Sequence, residues 1–304
     1  MPFVKRILQK LNGLRYPQEY LCLSKESLDH PLQVYLSAGG VIKKDISSSH
    51  LFVGYHPLIF ILPSGGEFPA PPEITILFSS NSLKLNEKFS EKDAIALIRM
   101  RSVQKFRSGH EVYAGIHAHH RFVSGWHQFI LGLENKLYRN KPGNVFLAGN
   151  LLKQVQVAYA IPRKISLVTV RTKQGFNVFP TDLQGTLDDQ FYFISLRKHG
   201  KACEQVMAAE SILLSDIPSS AYQMAYALGK NHMQDCRPTV IPIPATETRS
   251  LEQPEFLDMD IHRVFCFKIK EHRILDRADT LSHVHNIYAT WRLNKGLGGN
   301  YLLR

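Results

Sequence analysis

The sequence contains few cysteines, and their spacing suits neither a disulfide framework nor a zinc ribbon. Cys22, Cys203, Cys236 and Cys266 lie far apart, and none belongs to a C-x-x-C pair. Isolated cysteines of this kind are typical of a reducing compartment, so we expect a cytoplasmic protein. The sequence also lacks any run of about 18 apolar residues, so it predicts no membrane-spanning helix.

The common nucleotide and hydrolase motifs are absent as well. There is no Walker A sequence and no G-x-S-x-G elbow, and the GLGGN segment near the C-terminus lacks the G-x-G-x-x-G spacing. Basic and aromatic residues are interleaved in two places, but neither place matches a known nucleic-acid module. We therefore expect no nucleic acid as a partner.

What the chain does have is enough apolar sequence to build a large core. Its 304 residues are 44% hydrophobic and 21% charged, which is typical of one large globular domain or two ordinary ones. The formal net charge of +11 favours anionic partners such as a nucleotide. Because the basic residues are spread along the chain, much of this charge is explained as a solubilising surface.

The N-terminal segment MPFVKRILQKLNGLRYP has apolar residues at helical spacing, with lysine and arginine between them. It lacks the continuous apolar region of a signal peptide, and Gly13 and Pro17 close it as helix-stop residues. The pattern predicts an amphipathic helix packed on the body of the protein, in preference to one lying on a membrane.

The remaining pattern predicts an α+β, mainly β protein. Strand-like runs include LQVYLSAGGVI, LFVGYHPLIFIL, FYFISL and HRVFCFKIK, and helices are predicted for SSAYQMAYALGKN and for SEKDAIALIRMRSVQKF, where Ser90 resembles an N-cap. The local sequence pattern changes near residue 150. This change divides the chain into an N-terminal mixed β/α domain of unknown role, residues 1–150, and a second domain, residues 151–304.

An internal similarity crosses this boundary. The segments VYLSAGGVIKKDISSSHLFVGYHPLIFIL and VTVRTKQGFNVFPTDLQGTLDDQFYFISL share the order strand, glycine turn, short run, aspartate, loop and apolar strand. This order suggests a weak internal repeat.

Histidine pairs are the one pattern that suggests a metal. HAHH contains His117, His119 and His120, and HVH contains His283 and His285. An H-x-H pair in a strand directs both imidazoles to one face. No acidic residue stands at a suitable spacing, so no metal site is expected.

Residues 160–215 carry the most informative pattern. They read AIPRKISLVTVRTKQGFNVFPTDLQGTLDDQFYFISLRKHGKACEQVMAAESILLS. The order is a proline-led strand ending in Val-Thr, a glycine turn, an asparagine-led loop, an apolar strand ending near serine, and a basic helix entrance. This order resembles the flavin reductase-like family, whose domain is an FMN-binding split β-barrel. The clear likeness covers about a fifth of the chain.

The resemblance implies a flavin site with two parts. The isoalloxazine ring and ribityl chain would be lined by the asparagine-led loop, and the phosphate would be held where the apolar strand meets the next helix. The ring-side residues would be Asn177, Val178, Phe179, Pro180, Thr181 and Asp182, and the phosphate-side residues would be Arg197, Lys198 and Lys201. The NVFPTD segment is predicted to be irregular, because Pro180 lacks a backbone donor.

Two departures from the family pattern affect this assignment. Asp182 stands where many members carry serine, and its charge would repel a phosphate. Asp189-Gln190 stands where Pro-Pro commonly precedes the apolar strand. Either the loop is shifted by one residue, with Thr181 as the hydroxyl ligand, or the domain keeps the fold without tight FMN binding.

The resemblance implies a function and an assembly. The chain would pass hydride from NAD(P)H through bound FMN, in preference to FAD, to a flavin or flavin-dependent acceptor. The alternative is a non-catalytic split-barrel binding or scaffold protein that has lost the cofactor. Barrels of this type usually pair, so either the N-terminal half is a degenerate second barrel, which makes the chain a pseudo-dimer, or the chain forms a homodimer.

Overall fold

The structure is a computed structural model that describes residues 18–63, 71–137, 145–173, 175–229 and 244–302, with residues 7, 11, 13–16 and 139. The strands are β1 Tyr20–Ser24, β2 Gln33–Ala38, β3 Val41–Asp45, β4 Leu51–Tyr55, β5 Leu58–Leu62, β6 Glu73–Ser79, β7 Ala96–Lys105, β8 Glu111–His120, β9 Arg163–Lys164, β10 Ser166–Thr172, β11 Gly175–Thr181, β12 Gln184–Thr186, β13 Phe191–Arg197, β14 Ser211–Asp216, β15 Glu247–Met259, β16 His262–Ile274, β17 Leu281–His285 and β18 Tyr301–Leu302. The helices are α1 Gly125–Leu137, α2 Leu151–Ala158, α3 Lys201–Ala208, α4 Tyr222–Gly229 and α5 Asn286–Asn294.

Two seven-stranded sheets have the same strand order. The first runs β3-β2-β6-β7-β8-β5-β4, and the second runs β11-β10-β14-β15-β16-β13-β12. If the seven strands of each sheet are numbered along the chain, both orders become 2-1-5-6-7-4-3. All neighbouring pairs in both sheets are antiparallel. This agreement extends the internal similarity of the sequence from two short segments to two complete sheets.

The apolar strands β5 and β13 are buried on both faces. In β13, Tyr192 and Ile194 pack in the core of the second sheet, whereas Phe193 points to the opposite side. There it packs with Ile59 and Ile61 of β5, so that one cluster contains residues of both halves. Because successive side chains of a strand alternate between faces, a strand buried on both sides is mostly apolar, and the buried Ser195 of β13 is hydrogen-bonded to His262. The continuous runs LIFIL and FYFISL thus mark the contact between the halves.

A third sheet joins the two ends of the chain. Its order is β18-β1-β17-β9, in which β1 pairs with β17 along its full length. Helix α5 follows β17 directly, and its residues Ile287 and Tyr288 belong to the same core cluster as Phe60 and Ile76 of the first sheet. The C-terminal segment therefore packs against the N-terminal half.

The helix predicted to begin at Ser90 is wrong, because most of that segment is strand β7. Ala96, Ile98 and Met100 are buried in the core, and Arg99 between them is exposed. This is a period of two and not of 3.6. β7 pairs with both β6 and β8, and Ser90 instead closes a turn in which its backbone N–H donates to Asp93.

The irregular loop predicted at NVFPTD is also wrong, since these residues form β11 as far as Thr181. Pro180 lies opposite Leu167 within the β10–β11 pair. β11 is the edge strand of its sheet, so the missing N–H of Pro180 costs no hydrogen bond on the outer side. Position in the sheet, which the local sequence does not reveal, decided this outcome.

The mainly β character and the predicted strands at β2, β5, β13 and β16 are confirmed, as is the helix α4 that ends at Gly229. The predicted N-terminal helix lies largely outside the described residues. None of the helices that the structure describes is long and apolar enough to cross a membrane.

Candidate functional site

A pocket of about 490 Å³ opens where the hairpin β10–β11 meets helix α4 and strand β17. This volume falls within the range of small-molecule sites, which runs from roughly 300 to 1,000 Å³. The lining residues come from these elements and the segments beside them: Ile165, Pro180, Thr181, Asp182, Tyr222, Gln223, Ala225, Tyr226, Ala227, Gly229 and His283.

Helix α4 forms one wall of the pocket because of its own residue spacing. Ala225 is buried and, together with Ala221 just before the helix, packs against Ile165 and Leu281. Tyr222 and Tyr226 stand four residues apart, so they lie on one face of the helix, and both line the pocket. Small residues thus fix the helix to the body while two phenol rings remain at the cavity.

A continuous chain of hydrogen bonds runs along the pocket. Nη2 of Arg163 donates to Oδ2 of Asp182 at 2.7 Å, and the same oxygen lies 2.8 Å from Nδ1 of His283. The other ring nitrogen of His283, Nε2, lies 2.7 Å from the Tyr226 hydroxyl, which accepts a further bond from Sγ of Cys22 at 2.9 Å. Three of these five residues, Asp182, His283 and Tyr226, line the cavity.

The Asp182 carboxylate is held in its charged form. Burial opposes ionisation, but Arg163 and His283 outweigh it and keep the pKa of this carboxyl well below its usual range. Arg163 is itself only 7% exposed and lies over the ring of Tyr159. The negative charge at the pocket is therefore already balanced by a buried cation.

The predicted ring-side residues divide into two groups. Pro180, Thr181 and Asp182 line the pocket. Asn177 instead donates from Nδ2 to Oε1 of Gln205 on α3, at 2.5 Å. Val178 and Phe179 pack against hydrophobic clusters on opposite sides of the sheet.

The predicted phosphate-side residues lie at the end of β13 and the start of α3, as expected from the sequence. Arg197 ends β13, and its Nη2 donates to the Tyr55 hydroxyl of the first half at 2.8 Å. The backbone N–H of Lys198 donates to the carbonyl of Ile261, and Lys201 is the first residue of α3. Within the described part of the chain, the three basic residues are not among those that line the pocket.

Sequence reasoning missed the roles of Arg163, Tyr226 and Cys22, and it treated His283 only as a possible metal ligand. His283 and His285 take different partners, since His285 caps α5 by accepting the backbone N–H of Ile287. Across the residues that the structure covers, no group of three or more His, Cys, Asp or Glu could hold a metal ion. The sequence feature that could have indicated this hydrogen-bond network was the unexpected Asp182 together with the H-x-H pair of His283 and His285.

No family model matches the sequence, and no curated protein matches it either. Solved structures do resemble it over part of its length. An FMN-binding protein from Thermus thermophilus is 17% identical, with 38% of this chain and 74% of that chain covered at a TM-score of 0.34. A styrene monooxygenase flavin reductase from Pseudomonas putida is 15% identical, with 50% and 99% covered at 0.39. A NADH:FAD oxidoreductase from Streptomyces globisporus is 10% identical, with 48% and 95% covered at 0.41.

The chain is thus similar in structure to flavin reductases and FMN-binding proteins over about half of its length, at low sequence identity.

Proposed function

We propose that this chain is a flavin-binding oxidoreductase of the flavin reductase type, with FMN as the flavin and NAD(P)H as the transient hydride donor. One observation carries the proposal. Residues 160–215 resemble the family in sequence, and the end of their asparagine-led segment, from Pro180 to Asp182, opens on the pocket.

The residues of the pocket suit an isoalloxazine ring. Ile165, Pro180 and Ala225 offer apolar surface, and Thr181, Tyr226 and His283 offer polar atoms beside it. A flavin ring needs both, because its faces are aromatic while one edge carries hydrogen-bond donors and acceptors. The ring would be held by these residues.

The charge of the pocket suits the ring better than the phosphate. The charge of Asp182 is balanced by Arg163, and among the described lining residues this pairing leaves no excess positive charge for a phosphate. The phosphate would instead be held by Arg197, Lys198 and Lys201, as the family resemblance implies. Thr181 supplies the hydroxyl that the family carries one position later.

Bound flavin would supply the ring that accepts and passes on hydride. The chain's own residues would orient and enclose it. Tyr222 and Tyr226 form the helical wall, which limits the access of water from that side. Thr181, the last residue of β11, and Asp182 line the pocket as well.

Flavin binding is tested by adding FMN to the purified chain and following the quenching of flavin fluorescence. We expect saturable binding that the pocket-filling variant Thr181→Tyr abolishes. The matched control is Ser211→Tyr, which adds the same bulk at an exposed position of β14. Anaerobic addition of NADH and of NADPH should then bleach the bound flavin, and the donor that bleaches it faster is the one that the protein prefers.

The second candidate is a binding or scaffold protein that keeps the fold without the cofactor. Asp182 in place of a hydroxyl, and Asp189-Gln190 in place of two prolines, favour it. A wild-type chain that binds neither FMN nor FAD would exclude the oxidoreductase and support this alternative.

We also propose that the two halves form an intramolecular pseudo-dimer, in which the N-terminal half is a degenerate second barrel. The equal strand order of the two sheets supports this, as do the shared cluster around Phe193 and the bond from Arg197 to Tyr55 across the halves. Light scattering should give the mass of one chain, 34.6 kDa. Twice that mass would favour a homodimer instead.

A further inference from the structure

We propose that Tyr226, His283 and Asp182 form a proton relay that delivers a proton to the ligand in the pocket. In this relay the Tyr226 hydroxyl is the group that meets the ligand, His283 resupplies its proton, and Asp182 positions His283. The inference rests on the proposed function for the identity of the ligand, but the relay is defined by this chain's own contacts.

The direction of the hydrogen bonds follows from the chemistry of each group. An ionised carboxylate only accepts hydrogen bonds, so Nδ1 of His283 must carry the proton that it shares with Asp182 at 2.8 Å. In the neutral ring Nε2 is then an acceptor, and the Tyr226 hydroxyl donates to it at 2.7 Å. The tautomer of His283 is thereby fixed, as in a Ser-His-Asp triad.

Several side chains around the three relay residues are polar, charged or aromatic, which supports proton transfer between them. Arg163 from β9 pairs with Asp182, and Cys22 from β1 donates to the Tyr226 oxygen. Tyr20, also from β1, lies with its ring centroid 6.4 Å from that of His283, and Tyr222 lines the same cavity from α4. The side chain of His283 is 15% exposed, so solvent can return a proton to it.

The step is a proton transfer without any transfer of electrons by the protein. In protonated His283, Nε2–H donates to the Tyr226 oxygen. The Tyr226 O–H bond breaks as its proton moves to an oxygen or nitrogen of the ligand, and the Nε2 proton forms a new O–H bond on Tyr226. His283 ends neutral, with its Nδ1–H still on Asp182, and solvent restores its second proton.

The ligand class follows from this arrangement. It is a molecule with a basic oxygen or nitrogen that gains a proton from Tyr226, and the flavin of the proposed function would meet this requirement when its ring is reduced. A positioned acid of this kind contributes about 10²- to 10⁴-fold to a rate.

The first test needs no ligand and uses the ¹⁵N NMR signals of labelled histidine, with His283 assigned by its loss in His283→Gln. We expect the Nδ1–H tautomer in the wild type and a switch to Nε2–H in Asp182→Ala. The matched control is Asp188→Ala, because Asp188 pairs with another histidine, His110, at 2.9 Å. An Nε2–H tautomer in the folded wild type would overturn the relay.

The second test compares reduction of flavin by NADH in the wild type and in Tyr226→Phe. With both proteins saturated with flavin, we expect the rate constant to fall by about 10²-fold and its pH profile and solvent isotope effect to disappear. Equal rates and pH profiles would overturn the relay and leave the flavin reductase intact. A wild type that binds no flavin would refute the proposed function, and the NMR result would then decide the relay alone.

Discussion

The buried guanidinium of Arg163 and the half-buried carboxylate of Asp182 form an ion pair, with 2.7 Å between Nη2 and Oδ2. In the sequence Asp182 is an obstacle to a flavin site, because it puts a negative charge where the family carries a hydroxyl. In the structure its charge is balanced, and the same carboxylate orients His283. Asp182, which departs from the family pattern, is therefore part of a local hydrogen-bond network with Arg163 and His283.

Removing Arg163 should destabilise the protein by more than removing the pair. In Arg163→Met the Asp182 charge keeps, among the described residues, only His283 as its partner, so we expect a loss of about 3 kcal/mol in the free energy of unfolding. The double variant Arg163→Met/Asp182→Asn should recover a large part of this loss. Urea unfolding of the two single variants and the double variant gives the coupling energy. Additive losses would show that the pair is not coupled.

The basic residues Arg197, Lys198 and Lys201, at the end of β13 and the start of α3, should bind the phosphate and not the ring. We expect Arg197→Ala with Lys201→Ala to weaken FMN binding by about tenfold or more for each lost cation, because charge-assisted hydrogen bonds contribute about 1.5 to 3 kcal/mol. Riboflavin, which lacks the phosphate, should bind the variant and the wild type equally. Lys268→Ala, at an exposed position of β16, is the control for net charge. An equal loss for FMN and riboflavin would refute the phosphate assignment.

The contact between the halves should hold them in one cooperative unit. Phe193 is fully buried, and its ring centroid lies 5.4 Å from that of Phe106 in the first half. Phe193→Ala should cost about 3 to 5 kcal/mol, because it leaves a cavity at this contact. Phe176→Ala removes a ring that is 55% exposed and should change stability by less than about 0.5 kcal/mol. Chemical unfolding followed by fluorescence should show a single transition for the wild type; two transitions would mean that the halves unfold separately.

His120 should make the protein less stable in mild acid. Burial lowers the pKa of this histidine to about 4, against the bond from its Nε2 to Gln156. The unfolded chain binds the proton near pH 6.5 and the folded chain only near pH 4, so stability falls as the pH drops through this window. The full effect is of the order of 3 kcal/mol.

This pH dependence can be isolated by substitution. In His120→Gln the decline in the free energy of unfolding between pH 7 and about 4 should be smaller than in the wild type. His117→Gln, on an exposed side of the same strand, is the control. Parallel curves for the wild type and His120→Gln would contradict the assignment.

The sequence alone determined the mainly β character, several of the strands, among them β2, β5, β13 and β16, and the family resemblance of residues 160–215. These depend on local patterns, namely apolar runs, glycine turns and the order of elements. It also showed the similarity between the two halves, although only in their first strands. The equal order of the two sheets was hidden, because strand pairing joins residues distant in the chain.

Tertiary structure decided the features that local pattern could not. Pro180 lies in a strand because that strand is at the edge of its sheet, and Ala96–Lys105 is a strand because it has a partner on either side. The pocket joins Asp182 to His283, which is 101 residues away, and Tyr226 to Cys22, which is 204 residues away. Hydrogen bonds of a few ångströms between such distant residues exist only when the chain is folded, and so the chemistry of this site could not be predicted from the sequence by itself.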